Sequence, residues 1–251
     1  VLVLGLASSV ITAIIAALVL CEVVTSLKLD RKTELYLVVY ACFAIGLGAA
    51  LTPIGEPLST IVVSKLKGPP HNAGFGYLFG LVGLWVVPGV LLLAFMAARR
   101  MRSVEAGHAG MRQDQNETSS TVIIRAAKVY IFVMALVLLG AGLKPLAEMT
   151  VAKLCAWQLY WLNIVSAALD NATLAAAEIV PDMVRDKITA ILMGLLVSGG
   201  MLIPGNIPNI ISASKLNIRS REWAGAAVPL GLAMMAAYFF ILMITGHMAA
   251  K

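Results

Sequence analysis

Several long stretches of this chain hold no Asp, Glu, Lys or Arg at all, among them residues 35–55, 68–98, 188–214 and 223–250. Each exceeds the roughly 18 residues that a helix needs to cross the hydrocarbon core of a bilayer. Charged residues make up 13% of the chain, against about 25% in an ordinary globular domain, and mean hydropathy is +0.91. Too little polar surface remains to face water. A helix satisfies its own backbone groups in lipid, so the sequence predicts an all-α polytopic membrane protein whose first partner is the lipid bilayer.

Within these apolar stretches the chain interrupts itself. Thr52-Pro53-Ile54-Gly55-Glu56-Pro57 and Pro204-Gly205-Asn206-Ile207-Pro208 each set two prolines around a glycine. A proline inside a helix removes a donor and clashes with the preceding turn, at about 3 kcal/mol, so both sites predict an unwound, broken helix. Ser8-Ser9-Val10-Ile11-Thr12 and Asp170-Asn171-Ala172-Thr173 are polar tips between apolar arms too short to span. They predict re-entrant hairpins, which a membrane tolerates only where protein buries them.

The features recur in one order: polar tip, apolar arm, charged connection, broken helix, half-helix, final span. Such recurrence is the mark of an internal repeat. It pairs Pro53 and Pro57 with Pro204 and Pro208, and Thr12 with Thr173. The predicted parts are a first repeat at 1–98, a linker at 99–121 and a second repeat at 122–251. Helix 122–142 and the amphipathic segment 144–153 have no counterpart ahead of the first hairpin.

The net charge of +6 does not call for nucleic acid, because the basic residues gather at the ends of apolar runs. Lys28, Arg31, Lys32, Arg99, Arg100, Arg102, Arg112, Arg125, Lys128, Lys215, Arg219 and Arg221 fall on one side, which holds most of the 19 Lys and Arg. By the positive-inside rule that side is cytoplasmic. The two hairpins then enter from opposite faces, giving inverted topology. The sequon at Asn116-Glu117-Thr118 would be silent in a cytoplasmic linker. Cys21, Cys42 and Cys155 show no metal or disulfide spacing and are expected as buried free thiols. His71, His108 and His247 show none either. Trp157, Tyr160, Trp161 and Trp223 are expected as anchors at the membrane interface.

Both hairpin tips, with 52–57 and 199–208, resemble the corresponding motifs of the ion transporter superfamily. That group includes NhaD-type sodium/proton antiporters, arsenite permeases and sodium-coupled dicarboxylate symporters, and the likeness extends to a little-characterised prokaryotic family of cation transporters. The resemblance spans the chain and implies a multi-pass protein of the prokaryotic inner membrane, with further helices before residue 1 and with its ion site where hairpin tips and broken helices meet. The first tip lacks an asparagine and Glu56 stands where an uncharged residue is common. Both departures favour a cation over an anion.

Glu56 and Asp170 carry the sharpest chemistry. An intramembrane carboxylate costs roughly 2.5–3.5 kcal/mol on insertion scales and is functional by default. Competition of Na⁺ and H⁺ for one carboxylate is the simplest basis for exchange, which makes these two the candidate Na⁺ ligands. The structural alternative is that each caps a half-helix N-terminus, where negative charge is favoured. Thr52, Ser59, Asn171, Thr173, Asn206 and Asn209 would add neutral oxygens of the kind hard cations take, and Ser9 and Thr12 do so at the first tip. Gly55 and Gly205 would let backbones approach closely. Glu22 and Glu178, in the hairpin arms, are expected to pair with basic residues or to assist coupling.

The expected function is secondary active transport, exchanging Na⁺ or a similar cation for protons by alternating access, with no cofactor beyond the ions and no enzymatic activity. A Na⁺-coupled symporter of a small anion is the alternative, since half-helix N-termini also suit anions. An intramembrane acid protease using Glu56 and Asp170, a purely structural subunit and a homodimer complete the readings the sequence allows.

Overall fold

The structure is a computed structural model that describes residues 1–102 and 154–248, with isolated helical positions between 127 and 145. The expectations for most of the linker, the sequon, helix 122–142 and segment 144–153 lie outside the described residues. Every described regular element is helical.

The chain opens with α1 (Leu2–Ile11) and α2 (Ala13–Ser26), folded back on each other about Thr12, whose φ is 74°. α3 (Arg31–Ala49) begins where Asp30 accepts the Thr33 N–H at 3.0 Å, so it starts a turn earlier than the apolar pattern suggests. A non-helical segment follows, then the nine-residue α4 (Pro57–Lys65), and α5 (Tyr77–Arg102). α5 takes in the first residues of the predicted linker, because Arg99 and Arg100 lie over the rings of Phe95 and Tyr36. In the second half α6 (Ala156–Leu162) passes into a 3₁₀ turn, Asn163–Ala167, and Asp170 opens α7 (Asn171–Glu178). α8 (Arg185–Ser198), a second 3₁₀ turn at Ile203–Gly205, α9 (Ile207–Lys215) and α10 (Ser220–Ile244) complete it.

α3, α5 and α10 are long and apolar enough to cross a membrane. α3 is apolar all round and lies at the centre, with 78% of its window buried, as such a helix must. α5 and α10 instead turn large apolar side chains outward, among them Leu84, Phe95, Phe240 and Ile244. An exposed apolar surface of that extent fits lipid and not water.

Glycines set how closely the helices cross. A Cβ on Gly48 would stand 1.7 Å from the Gly5 carbonyl oxygen, so α1 and α3 meet backbone to backbone. Pro88 and Gly89 form a notch in α5 for Tyr238 of α10, whose hydroxyl donates to the Trp85 carbonyl at 2.9 Å. The expectation that Tyr160 and Trp223 anchor at the interface is corrected. Both are fully buried, because their polar tips find deep carbonyls: Tyr160 donates to Met235 at 2.8 Å and Trp223 to Gly200 at 3.3 Å. Cys155 is half-buried, unlike Cys21 and Cys42, so the expectation of three buried thiols holds for two.

The helices define two ends. At one, Arg31 bonds the carbonyls of Leu216 and Asn217 and the Glu222 carboxylate, and Lys215 meets Glu22 at 2.7 Å. At the other, Lys65 bonds the Ala176 and Ile179 carbonyls, His71 reaches the Met183 carbonyl at 2.9 Å, and Arg185 lies over Tyr77. α2 reaches the first end and α7 the second. Each half-helix packs on an arm from the opposite half: α4 on α7, and α9 on α2.

Candidate functional site

Hydrogen bonds around the two breaks repeat at a constant separation of 150 residues, the separation of α4 from α9. Ser59 donates to the Ala49 carbonyl at 3.4 Å, and Asn209 to the Gly199 carbonyl at 2.9 Å. The N–H of Gly55 bonds the Thr52 carbonyl, and that of Gly205 the Leu202 carbonyl, both at 3.3 Å. A Cβ on Gly55 would lie 2.0 Å from the Ala49 carbonyl oxygen, and one on Gly205 2.5 Å from that of Gly199. The helix end folds over its own glycine in both breaks, which requires a residue without a side chain.

This geometry corrects the pairing by prolines. Residue 56 matches 206, and Pro57 matches Ile207 rather than Pro208. Pro57 stands first in α4 and Pro208 second in α9. Both places are open to proline because the first N–H groups of a helix have no intrahelical acceptor. The hairpin tips also re-pair. Thr12 accepts from the Ile15 N–H at 3.4 Å and Asp170 from the Thr173 N–H at 3.1 Å, so the counterpart of Thr12 is Asp170, not Thr173. One turn earlier, Ser8 donates to the Ile45 carbonyl at 3.0 Å and Ser166 to the Leu195 carbonyl at 3.4 Å.

The hairpin tips dock onto the breaks. In the first half the Ala13 N–H bonds the Gly55 carbonyl at 2.8 Å and the Thr52 hydroxyl donates to the Ser9 carbonyl. The Ser9 hydroxyl bonds back to Leu6. Thr52, Ser9 and Ser59 thus spend their hydroxyl protons on fastening backbone to backbone. Asn209 does the same with its amide, which also reaches Leu202 at 2.9 Å, while its Oδ1 stays without a partner.

Across the halves, the packing of α4 on α7 gathers Glu56, Asp170 and Asn171. The two acids behave differently. Asp170 caps its helix, accepting both the N–H and the hydroxyl of Thr173 at 3.1 Å. Glu56 occupies the N-cap position of α4 but accepts no bond from that helix. Its carboxylate turns toward the Asn171 amide and lies within electrostatic reach of Asp170. Glu56 is 4% exposed and its Oε1 has no hydrogen-bond partner, nor does the Asn171 Nδ2. The structural alternative therefore describes Asp170 and fails for Glu56.

A cleft of about 400 Å³ opens onto this point, lined by Thr12, Ile54, Gly55, Glu56, Thr60 and Ile207 among others. It touches the first hairpin tip, the first break and the start of α9. Asn206, the counterpart of Glu56, caps α9 through the Ile207 N–H at 2.8 Å, and its amide lies against Gly46 of α3. The two α4–α7 N-termini thus carry acids, and the two α2–α9 N-termini carry Thr12 and Asn206, which are neutral. Glu22 pairs with Lys215 as expected. Asn163, Ser166 and Ser198 also belong to the buried polar interior. Sequence reading passed over them because no proline or charge marks them within their apolar runs.

Among the described residues the fold is all-helical, with three helices of membrane-crossing length and buried polar side chains between the elements. The chain belongs to the family described as protein of unknown function (DUF1646), whose model matches residues 1–245. No curated protein and no solved structure matches it.

Proposed function

We propose that the protein is a secondary transporter that exchanges Na⁺, or a similar small cation, for protons at Glu56. One observation carries this reading: a carboxylate buried at an N-cap position that does not cap, facing Asn171 and Asp170 and lining a cleft. Burying a charge without a partner costs several kcal/mol, so a carboxylate there calls for a counter-charge. A proton and Na⁺ each supply one and exclude the other, and that exclusion is the coupling. Asp170, held by Thr173, adds negative potential beside Glu56 and favours either cation.

The membrane arrangement follows the same reading. The two halves form an inverted-topology repeat, with Thr12 and Asp170 at the tips of re-entrant hairpins and α3–α4 and α8–α9 as broken spanning helices. The repeated bonds support this, as does the arrival of α2 and α7 at opposite ends of the molecule. The end holding Arg31, Arg100 and Lys215 faces the cytoplasm of a prokaryotic inner membrane by the positive-inside rule. Alternating access moves the hairpin and half-helix pairs against α5 and α10.

The test uses energised inverted vesicles carrying the full chain. Added Na⁺ dissipates the pH gradient with the wild-type protein and not with Glu56→Gln; equal dissipation by that variant would sink the assignment. A second reading has its own support in the neutral N-termini at Thr12 and Asn206, which suit an anion. It makes the protein a Na⁺-coupled anion symporter, and requires ²²Na⁺ uptake that depends on an added carboxylate or oxyanion.

A further inference from the structure

The second half departs from the first at three matched positions, and the departures touch one another. With Thr12 matched to Asp170, Gly5 corresponds to Asn163 and Leu20 to Glu178. With Glu56 matched to Asn206, Gly48 corresponds to Ser198. In the first half Gly5, Leu20 and Gly48 are close-packed: α1 and α3 meet through the two glycines, and Leu20 is buried. In the second half all three are polar and all three are buried, Asn163 at 1% exposure, Glu178 at 4% and Ser198 at 0%. Three apolar places of one half have become three polar places of the other, at one spot where the 3₁₀ turn, α7 and α8 meet.

The bonding of this trio leaves a defined remainder. Ser198 donates to the Asn163 main-chain carbonyl at 2.6 Å and to Gly194 at 2.7 Å. The Asn163 amide donates to the Ile191 carbonyl at 3.3 Å. The Asn163 amide also faces the Glu178 carboxylate. What stays without a partner is Asn163 Oδ1 and Glu178 Oε2, both acceptors and both buried. Each unpartnered buried acceptor costs about 1–3 kcal/mol, and a charged one more. Unpartnered buried polar atoms are rare in native structures, and each calls for a partner or a role.

The charged groups on the elements packed against α7 have contacts of their own, those of Lys65 at the same end of α7 as Glu178. Lys65 of α4 spends its ammonium on the Ala176 and Ile179 carbonyls, Lys187 of α8 is buried and engaged, Asp186 meets His247 at 3.7 Å and Arg185 lies over Tyr77. Among the described residues no ion pair is formed by Glu178. A carboxylate oxygen and an amide oxygen are the ligands a hard cation takes. Glu178 closes the eight-residue helix that Asp170 opens. At 1.5 Å per residue it stands about 12 Å from Asp170 along α7, toward the end of the molecule that α7 reaches.

We infer that Glu178 and Asn163 hold a second small monovalent cation, in a site separate from Glu56 and present only in the second half. The site lies along the arm between one surface and the centre, so it loads from that side. The inference rests on the unpartnered oxygens of Glu178 and Asn163 and survives if exchange at Glu56 does not.

Direct binding of ²²Na⁺ to the purified full chain in detergent tests it. The wild-type chain binds two Na⁺, Glu178→Gln binds one, and Glu56→Gln binds the other. A second variant keeps the test sound should Glu178→Gln fold poorly. The triple replacement Asn163→Gly, Glu178→Leu, Ser198→Gly copies the packing of the first half, and it too is expected to bind one fewer Na⁺. Unchanged stoichiometry in either folded variant overturns the inference. So does a wild-type chain that binds a single Na⁺ removed by Glu56→Gln alone. A single Na⁺ removed by Glu178→Gln and not by Glu56→Gln upholds the second site and overturns the proposed function instead.

Discussion

Glu56 and Asn206 hold the same backbone position in the two breaks: each precedes a nine-residue helix with φ of −154°, and one is an acid where the other is an amide. The difference extends to their neighbours, since α4 faces Asp170 and Asn171 while α9 faces Thr12 and its arm. A double exchange, Glu56→Asn with Asn206→Glu, moves the acid without changing composition. Exchange activity is expected to fall at least ten-fold and not to return, because the relocated carboxylate loses Asp170 as its neighbour. The Na⁺-induced collapse of a pH gradient in inverted vesicles measures it.

Asn209 and Ser59 fasten equivalent helix ends with unequal strength. Asn209 makes two bonds of 2.9 Å, to the Gly199 and Leu202 carbonyls, and Ser59 makes one of 3.4 Å to Ala49. Asn209→Ala should destabilise the protein by about 1–3 kcal/mol, since buried acceptors are left unpaired, and Ser59→Ala by about 0.5–1.5 kcal/mol. Thermal unfolding of purified protein in detergent should rank them in that order.

Glycine positions give a sharper contrast. Gly55→Ala drives a methyl into the Ala49 carbonyl, with a cost of about 1–3 kcal/mol or more for overpacking, and is expected to open the first break. Gly80→Ala in α5 meets nothing within 4 Å and should be neutral or stabilising by about 0.5–1 kcal/mol through helix propensity. Expression and melting temperature of the two variants, measured side by side, separate the predictions.

Asp30 lies outside the membrane-crossing helices, at the start of α3. Thr33, through its hydroxyl and its N–H, holds the Asp30 carboxyl below the ordinary carboxylate range. A lowered folded-state value means that its stabilisation is present above that range and is lost as the pH falls through it. Asp30→Asn keeps a capping oxygen and removes the titration, so acid unfolding of the variant should be less steep over that interval. Equal slopes for the two proteins would count against the capping role.

A cysteine introduced at Asn217 or at Asn72, in a chain whose Cys155 is replaced by serine and whose Cys21 and Cys42 are buried, reports orientation. Asn217 lies at the Arg31 end and Asn72 beside His71 at the other. Membrane-impermeant maleimide applied to intact spheroplasts should label position 72 and spare 217. The reverse pattern would overturn the cytoplasmic assignment of the basic end.

The sequence showed where helices stop more clearly than how their ends are matched. Proline and glycine break helices for local reasons, so the breaks at 52–57 and 204–208 were visible without tertiary knowledge. Matching the prolines to each other placed the halves one residue out of register, because the first turn of a helix accepts proline at more than one position. The polar tips were visible too, but Thr12 was paired with the wrong residue, since capping is decided by backbone conformation rather than residue type. Glu56 and Asp170 looked alike on paper. Only the fold separates the carboxylate that caps from the one that faces another helix. Tyr160 and Trp223 misled because an aromatic residue near a charged segment reads as an interface anchor until a buried carbonyl claims its polar tip.

The packing of α4 on α7 and of α9 on α2 has a consequence for how the protein is made. α2 is complete at Ser26, but the helix that packs on it is complete only at Lys215, so both breaks and most of the second half are synthesised in between. Until then the first hairpin has no finished cradle, and its polar tip must be shielded by the insertion machinery or by shallow burial. Neither half is therefore expected to mature alone: split at the linker, the two fragments should be degraded when made singly and rescued when made together.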